Sequence, residues 1–424
     1  MTTKFCLRAS VACLFAAGVA KAADLPMTKV EAIDYVKACT KFGSGFFYIP
    51  GSDTCLKISG DIRANYYHLI NTFPSRTSDA LTFDGRGQIA FDARTTTDYG
   101  VLRSFFAIIG NFGNGSTTSF ALDKAYIQLG GLTAGFGHSF YGLYDNDFGN
   151  DVWQPYFTGP STRALLAYTA AFGAGLTASL SAEDGKPGRS AAVWNDTANA
   201  FGKDAFGNVV GVYAGLTAPD GVARLRYDSA NVLAAVSAAI HQVRLLPGPD
   251  LPPADTKYGY AFGASLAFAF PVLQGAHLVV EGNYARGAND YVNAWSTPSF
   301  SGFGPAEAAV VPATGVVKLS SGWSVVSEFG VNVTPAITVN VIGSYLDFKG
   351  PDADGLGYGT VFDDSFKRYT VGGNVFYTLS RGFRVGAEVF YDHTKFDAPT
   401  DPLAAGAKLT YEGWGGGVSI RREF

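Results

Sequence analysis

Leu81–Thr96, LTFDGRGQIAFDARTT, sets Leu81, Phe83, Gly85, Gly87, Ile89, Phe91 and Ala93 against Thr82, Asp84, Arg86, Gln88, Asp92 and Arg94. Successive strand side chains point to opposite faces, so this alternation predicts a strand with one apolar and one charged face. It runs for 16 residues, whereas an ordinary strand has about 5–6. The same period recurs along the chain. Leu56, Ile58, Ile62 and Tyr66 alternate with Lys57, Ser59, Asp61, Arg63 and Asn65. Leu278 and Val280 oppose Glu281 and Asn283, while Trp323, Val325, Phe329 and Val331 oppose Ser324, Glu328 and Asn332. Tyr369, Val371 and Val375 oppose Arg368, Thr370 and Asn374, and Phe383, Val385 and Val389 oppose Arg384, Glu388 and Asp392.

The connections alternate in length. Short turns fall at Thr97–Gly100, Gly130–Gly131, Phe172–Ala174, Ser229–Asn231, Pro271–Gly275, Thr334–Ala336 and Ser380–Gly382. Longer polar or Gly/Pro-rich stretches fall at Asn71–Ala80, Asn111–Ser119, Tyr141–Thr162, Asp184–Ala218, Arg244–Lys257, Gly287–Ser321, Lys349–Ser365 and Phe396–Ala407. Seven short and eight long connections define 16 strands. Long strands with short turns on one side and long loops on the other predict an all-β fold, a 16-stranded antiparallel transmembrane β-barrel. In lipid only a closed barrel satisfies the backbone of a non-helical chain. The uncharged run Ala164–Ala182 is long enough for a membrane helix, but Gly173 and Gly175 interrupt it and Thr177, Ser179 and Ser181 alternate with apolar residues. Two strands and a turn fit it better.

Composition agrees: 52 Gly, 14% aromatic and only 2 Met favour strands and turns over helices. Lys4 and Arg8, the apolar Val11–Ala20 and the Ala20-Lys21-Ala22 site predict a signal peptide over residues 1–22. Its removal takes away Lys4, Arg8 and Lys21 and moves the formal charge from −4 to −7. An exported acidic chain of this kind is no nucleic-acid binder. Residues 23–54 form a distinct N-terminal segment on the periplasmic side, with a short helix expected over Thr28–Lys41, and the barrel occupies 55–424. Cys39 and Cys55 remain as an even pair in an oxidising compartment and predict a disulfide, the alternative being two buried thiols.

The chain resembles the general porin family of alphaproteobacteria. The resemblance is carried by VEAIDYV at Val30–Val36, Cys39, GSGFFYIP at Gly43–Pro50 and CLKISG at Cys55–Gly60, with DKAYIQL at Asp123–Leu129 and Arg226-Tyr227-Asp228 further on. It implies a homotrimeric outer-membrane barrel passing small hydrophilic solutes and ions by diffusion. It also implies that the C-terminal strand ending in Phe424 is the signal read by the barrel assembly machinery, and that a third loop folds inward to narrow the pore. Here that loop is Tyr141–Thr162, with Asp145, Asp147 and Asp151 and no Lys or Arg. Facing it, the inward strand positions supply Arg63, Arg86, Arg94, Arg103 and Lys124 as a basic wall, Arg63 and Arg86 at constriction height and Arg94 and Arg103 lower. An acidic rim opposite a basic wall makes a transverse field, and three loop acids on a chain of charge −7 predict a weak cation preference.

No enzyme chemistry is expected. Gly137-His138-Ser139-Phe140-Tyr141 lacks the second Gly of a nucleophile elbow and precedes no helix, so Ser139 reads as a lumen-facing strand residue. The five His are scattered without ligand spacing, so neither metal nor cofactor is expected. Asp352-Ala353-Asp354-Gly355 reads as a solvated outer loop that could bridge divalent ions to lipopolysaccharide. The alternative functions are a solute-specific channel of the same fold, with Tyr141, Tyr144, Trp153 and Tyr156 as sugar-stacking rings, and an outer-membrane enzyme.

Overall fold

The computed structural model describes residues 37–71, 80–113, 116–143, 159–160, 162–186, 192–194, 209–210, 214–245, 256–292, 307–311, 316–351, 365–397 and 410–424. Sixteen strands form the wall. They begin with β1 Cys55–Asn71, β2 Leu81–Thr97, β3 Gly100–Gly113, β4 Ser116–Leu129, β5 Leu132–His138 and β6 Thr162–Gly173. Next come β7 Leu176–Glu183, β8 Asp220–Asp228, β9 Val232–Val243, β10 Lys257–Ala269 and β11 His277–Arg286. The last are β12 Ser321–Thr334, β13 Ile337–Lys349, β14 Phe366–Ser380, β15 Phe383–Phe396 and β16 Thr410–Glu423. Each pairs antiparallel with the next, and β16 pairs with β1 over Asp61↔Glu423 to Asn71↔Gly413, which closes the sheet on itself.

The wall is polar inside and apolar outside. Phe83, Tyr168, Leu180 and Phe262 stand exposed on the outer surface, whereas Asp61, Asp92, Glu281, Glu328 and Arg421 are buried within. An apolar band that faces outward gains from lipid what a soluble core gains from burial. We expect Leu180→Arg to cost roughly 2–4 kcal/mol of folding free energy if Leu180 lies near the bilayer midplane. Urea titration in lipid vesicles measures this, and an unchanged midpoint would place Leu180 outside the bilayer.

The chain end completes the closure. Gly60 N–H donates to the Phe424 carbonyl at 3.1 Å and Phe424 N–H to the Gly60 carbonyl at 3.0 Å. The Phe424 ring lies over Gly60, where a Cβ would meet the ring at 2.7 Å and the Gln88 carbonyl at 2.4 Å. Glycine is therefore required at 60 by the close approach of two neighbouring strands. At the short-turn end, Phe47–Tyr48 pairs with Cys55 and Leu56, and a disulfide joins Cys39 to Cys55. Cys39, Phe46 and Cys55 form a small core with Phe42 and Tyr48 against it.

Two local expectations change. The helix over Thr28–Lys41 lies outside the described residues up to 36, and its final part is not α-helical. Ala38 bridges Phe47 and Cys39 is extended, tied by its N–H to the Phe46 carbonyl, before a 3-10 turn at Thr40–Phe42. Cross-linking and strand pairing at this site override a weak helical period. The connection expected over Asn111–Ser119 shrinks to 114–115, because Gly113↔Ser116 and Phe112↔Thr117 pair and extend the hairpin. Threonine suits a pleated strand even where the surrounding residues read as loop.

The long connections after β7 and β11 pair with each other. Ala192–Trp194 pairs with Val209–Val210 and runs parallel to Ala308–Val311, which pairs with Val316–Leu319. These two loops thus share a small four-stranded sheet.

Candidate pore constriction

The third long loop begins where β5 stops at His138. Its first residues turn inward because the wall offers them acceptors and donors. Phe140 N–H donates to Glu183 Oε1 at 2.9 Å, and the Ser237 hydroxyl donates to the Tyr141 carbonyl at 2.7 Å. Leu143 N–H donates to Glu281 Oε2 at 2.7 Å and Gly159 N–H to Glu281 Oε1 at 3.3 Å. Both ends of the loop therefore hang on one carboxylate of β11, six strands round the barrel from β5. Ser265 Oγ and Asn283 Nδ2 also donate to Glu281, so four donors meet at this buried carboxyl group.

A second inward segment braces the first. After β11 the chain makes a 3-10 turn at Asn289–Val292, and the Tyr291 ring meets Tyr141 edge-on at 4.7 Å. Tyr291 Oη donates to Asp220 Oδ2 at 2.9 Å. Burial, with the Asp220 carboxylate alongside, raises this phenol well above its ordinary range, so it stays a neutral donor. Arg163 pairs with Asp290, and His241 Nδ1 lies 2.7 Å from Asp220 Oδ1.

Ser139 sits just past the end of β5 rather than within a strand. It is buried, its hydroxyl accepts the Tyr141 N–H at 3.1 Å, and it bonds Glu183, which makes it a hinge of the loop root. Tyr141 is a packing residue as placed. The loop acids Asp145, Asp147 and Asp151, the rings Tyr144, Trp153 and Tyr156, and Asp352–Gly355 all lie outside the described residues.

The basic side chains expected along the wall are organised by aspartates on the same strand faces. Arg63 Nε lies 2.6 Å and Arg86 Nη2 3.2 Å from Asp61. Arg94 and Arg103 share Asp92 at 2.7 and 2.9 Å, and Lys124 Nζ is 3.8 Å from Asp123. An Asp and an Arg two residues apart project from one face, so Asp61/Arg63 and Asp92/Arg94 are neighbours by the pleat alone. Arg94 lies near Phe42 and Phe46 at the short-turn end, and Arg103 near the stacked Phe105 and Tyr126.

Register adds a feature that one strand cannot reveal. Arg384 pairs with Arg421, Arg421 with Arg63 and Arg63 with Arg86, so four arginines occupy one row across β15, β16, β1 and β2. At about 4.8 Å between strands the row is roughly 14 Å long. Arg384 is one residue from the start of its strand, while Arg63 and Arg86 lie well inside theirs. The row is perpendicular to tilted strands, so it climbs from the short-turn rim toward mid-barrel. Arg384 and Arg421 both lie over the Phe376 ring, at 4.9 and 5.2 Å.

A closed 16-stranded barrel with a polar interior, an apolar exterior and a loop tied across its lumen defines an outer-membrane channel of the porin class. The chain belongs to the porin subfamily, whose family model matches residues 24–412. It is 29% identical over 198 residues to porin Omp2b of Brucella suis biovar 1 (strain 1330), covering 44% of this chain and 55% of that one. The chain spans about half the length of the curated relatives it matches, 42% and 55% for two of them. In fold it is similar to the outer membrane channel DcaP of Acinetobacter baumannii, with a TM-score of 0.65, 15% identity, and 89% of this chain and 99% of that one covered. It is also similar to the anion-selective porin from Comamonas acidovorans, with a TM-score of 0.52, 12% identity, and 88% of this chain and 100% of that one covered. The family resides in the outer membrane, and membership there points to a channel rather than an enzyme.

Proposed function

We propose that the protein is a homotrimeric pore that lets small hydrophilic solutes and ions cross the outer membrane by passive diffusion, narrowed by its third loop. The attachment of both loop ends to Glu281 carries this reading. A loop pinned across the lumen narrows a barrel of this strand number without filling it. The charged interior supports it, because a wall of paired carboxylates and guanidiniums needs water and would be costly against a dry plug.

Selectivity in this account is set by a transverse field. The inclined row of Arg384, Arg421, Arg63 and Arg86 is its positive side, with Arg94, Arg103 and Lys124 below and beside it. Asp145, Asp147 and Asp151 are the proposed negative side. Opposed rows leave ion preference weak while orienting dipolar solutes. Segment 23–54 acts as a periplasmic-side clasp, and the barrel assembly machinery recognises the strand ending in Phe424. Lipopolysaccharide surrounds the apolar band as an outer-leaflet partner.

Swelling of vesicles containing the purified protein tests the diffusion reading. Uptake of uncharged sugars should fall smoothly with size and stay linear in concentration. Saturation shared by all sugars, with mutual competition, would replace it by a sugar-specific channel.

A further inference from the structure

We propose that the outer rim of β13, β14 and β15 holds the phosphorylated sugar headgroup of one lipopolysaccharide molecule by direct contact with three lysines. This rests on the reading of lipopolysaccharide as the outer-leaflet partner and deepens it by assigning the residues that recognise one headgroup. Lys349, Lys367 and Lys395 lie at the long-loop ends of their strands. Their chain neighbours Phe348, Phe366 and Phe396 are buried on the inner side, so the pleat turns the lysines outward, where all three are exposed. Lys367 stands directly opposite Lys395, and Asp347 directly opposite Lys367. Opposed strand residues have Cβ atoms about 4.5–5.5 Å apart and diagonal ones about 7–8 Å, so Lys349 also falls within reach of Lys367. Like charges placed opposite one another weaken a sheet. An anion bridging them reverses that effect.

The strand ends that carry the lysines are held at fixed spacing from inside. The Phe348 and Phe366 rings stack at 5.3 Å, and the Phe366 and Phe396 rings lie 5.5 Å apart. On the outer face the chemistry is layered. Two residues toward the short-turn end from the lysine pair, Tyr369 and His393 stack at 4.9 Å, and next to them Tyr391 lies 5.1 Å from Trp414. Further along the same faces, Val371 and Val389 stand exposed. Cation, aromatic ring and aliphatic side chain, in that order, match the phosphate, the interfacial zone and the acyl chains of a lipid lying along the wall. This layering selects a lipid headgroup over a free phosphate, and the long loops place it in the outer leaflet. Lysine binds phosphate as a point charge. A phosphate monoester carries a charge of about −1.5 to −2 at neutral pH and three acceptor oxygens, which suits two or three converging ammonium groups. Lys367 Nζ lies 3.9 Å from Asp347 Oδ2, and its side chain remains 55% exposed, which leaves it open to a second contact. Asp347 and, just past β15, Asp397 border the lysines and suit the hydroxyl and amide donors of the same sugar headgroup.

The test is native mass spectrometry of the purified protein in detergent with EDTA, titrated in turn with bisphosphorylated lipid A, the same lipid A after phosphatase treatment, and phosphatidylglycerol. The expected result is one retained lipid A per subunit, with the dephosphorylated lipid and phosphatidylglycerol each needing at least tenfold more for equal occupancy. Lys367→Gln combined with Lys395→Gln should weaken lipid A binding at least tenfold, while Lys186→Gln, at the rim beyond β7, should leave it unchanged. A potassium chloride conductance near that of the parent shows that the variants are folded. Unchanged binding in the folded double variant overturns the site and leaves lipopolysaccharide as a partner held elsewhere, as does equal binding of the dephosphorylated lipid. Binding that is absent in EDTA and restored by calcium overturns direct contact with the lysines. If the double variant does not fold, the two single variants and the order of the three lipids on the unaltered protein decide. Unaltered protein that retains no lipid A, with or without calcium, would instead defeat the partner reading beneath the proposal.

Discussion

Replacing Glu281 by Ala should release the third loop and produce a larger, noisier channel. Four donors converge on this carboxylate, and two of them are the backbone N–H groups of Leu143 and Gly159 at the two loop ends. A hydrogen bond to a charged group contributes about 1.5–3 kcal/mol, so the two loop contacts together hold the loop by roughly 3–6 kcal/mol. At about 1.4 kcal/mol per factor of ten, their loss raises the released population by roughly 10²–10⁴. Single-channel recording should show higher mean conductance with frequent excursions, and vesicle swelling should admit larger sugars. Glu281→Gln keeps one acceptor oxygen and should fall between the two. A Glu281→Ala channel with unchanged conductance and size cut-off would mean that the loop is held elsewhere.

The arginine row makes the second large prediction. Arg63→Gln combined with Arg86→Gln removes two positive charges while leaving amide donors for Asp61. A unit charge about 8 Å from a permeating ion in water is worth roughly 0.5 kcal/mol, so two are worth about 1 kcal/mol before screening. That is close to a fivefold change for each ion in opposite senses, so roughly 25-fold in the K⁺/Cl⁻ permeability ratio before screening, in the cation direction, at low salt. The effect should shrink toward 1 M salt, where the screening length falls to about 3 Å. Reversal potentials under a salt gradient measure it. No shift would mean that Asp61 already cancels both guanidiniums as seen by the ion.

The wall was legible from period alone, because lipid outside and water inside force the same alternation on every strand. Sixteen strands followed from counting turns, since short turns must return the chain at once whereas long loops carry no pairing constraint. The pairing of Asp61 with Arg63 and of Asp92 with Arg94 was equally present in the sequence as same-face neighbours. Arg384 and Arg421 were visible as inward residues, yet their row with Arg63 and Arg86 depends on the register of β16 against β1. Barrel closure sets that register, and nothing local encodes it. Glu281 was likewise an inward acid among several, and its latch role depends on contacts more than a hundred residues apart in sequence. The shared sheet of the loops after β7 and β11 also joins distant segments with short, unremarkable patterns.

Single-channel conductance of the purified protein in a planar bilayer shows whether this barrel is an open water-filled pore. An open trimeric pore gives large current steps, linear in voltage and grouped in threes, with a reversal potential near zero under a salt gradient. Folded protein that inserts and gives no current would contradict it.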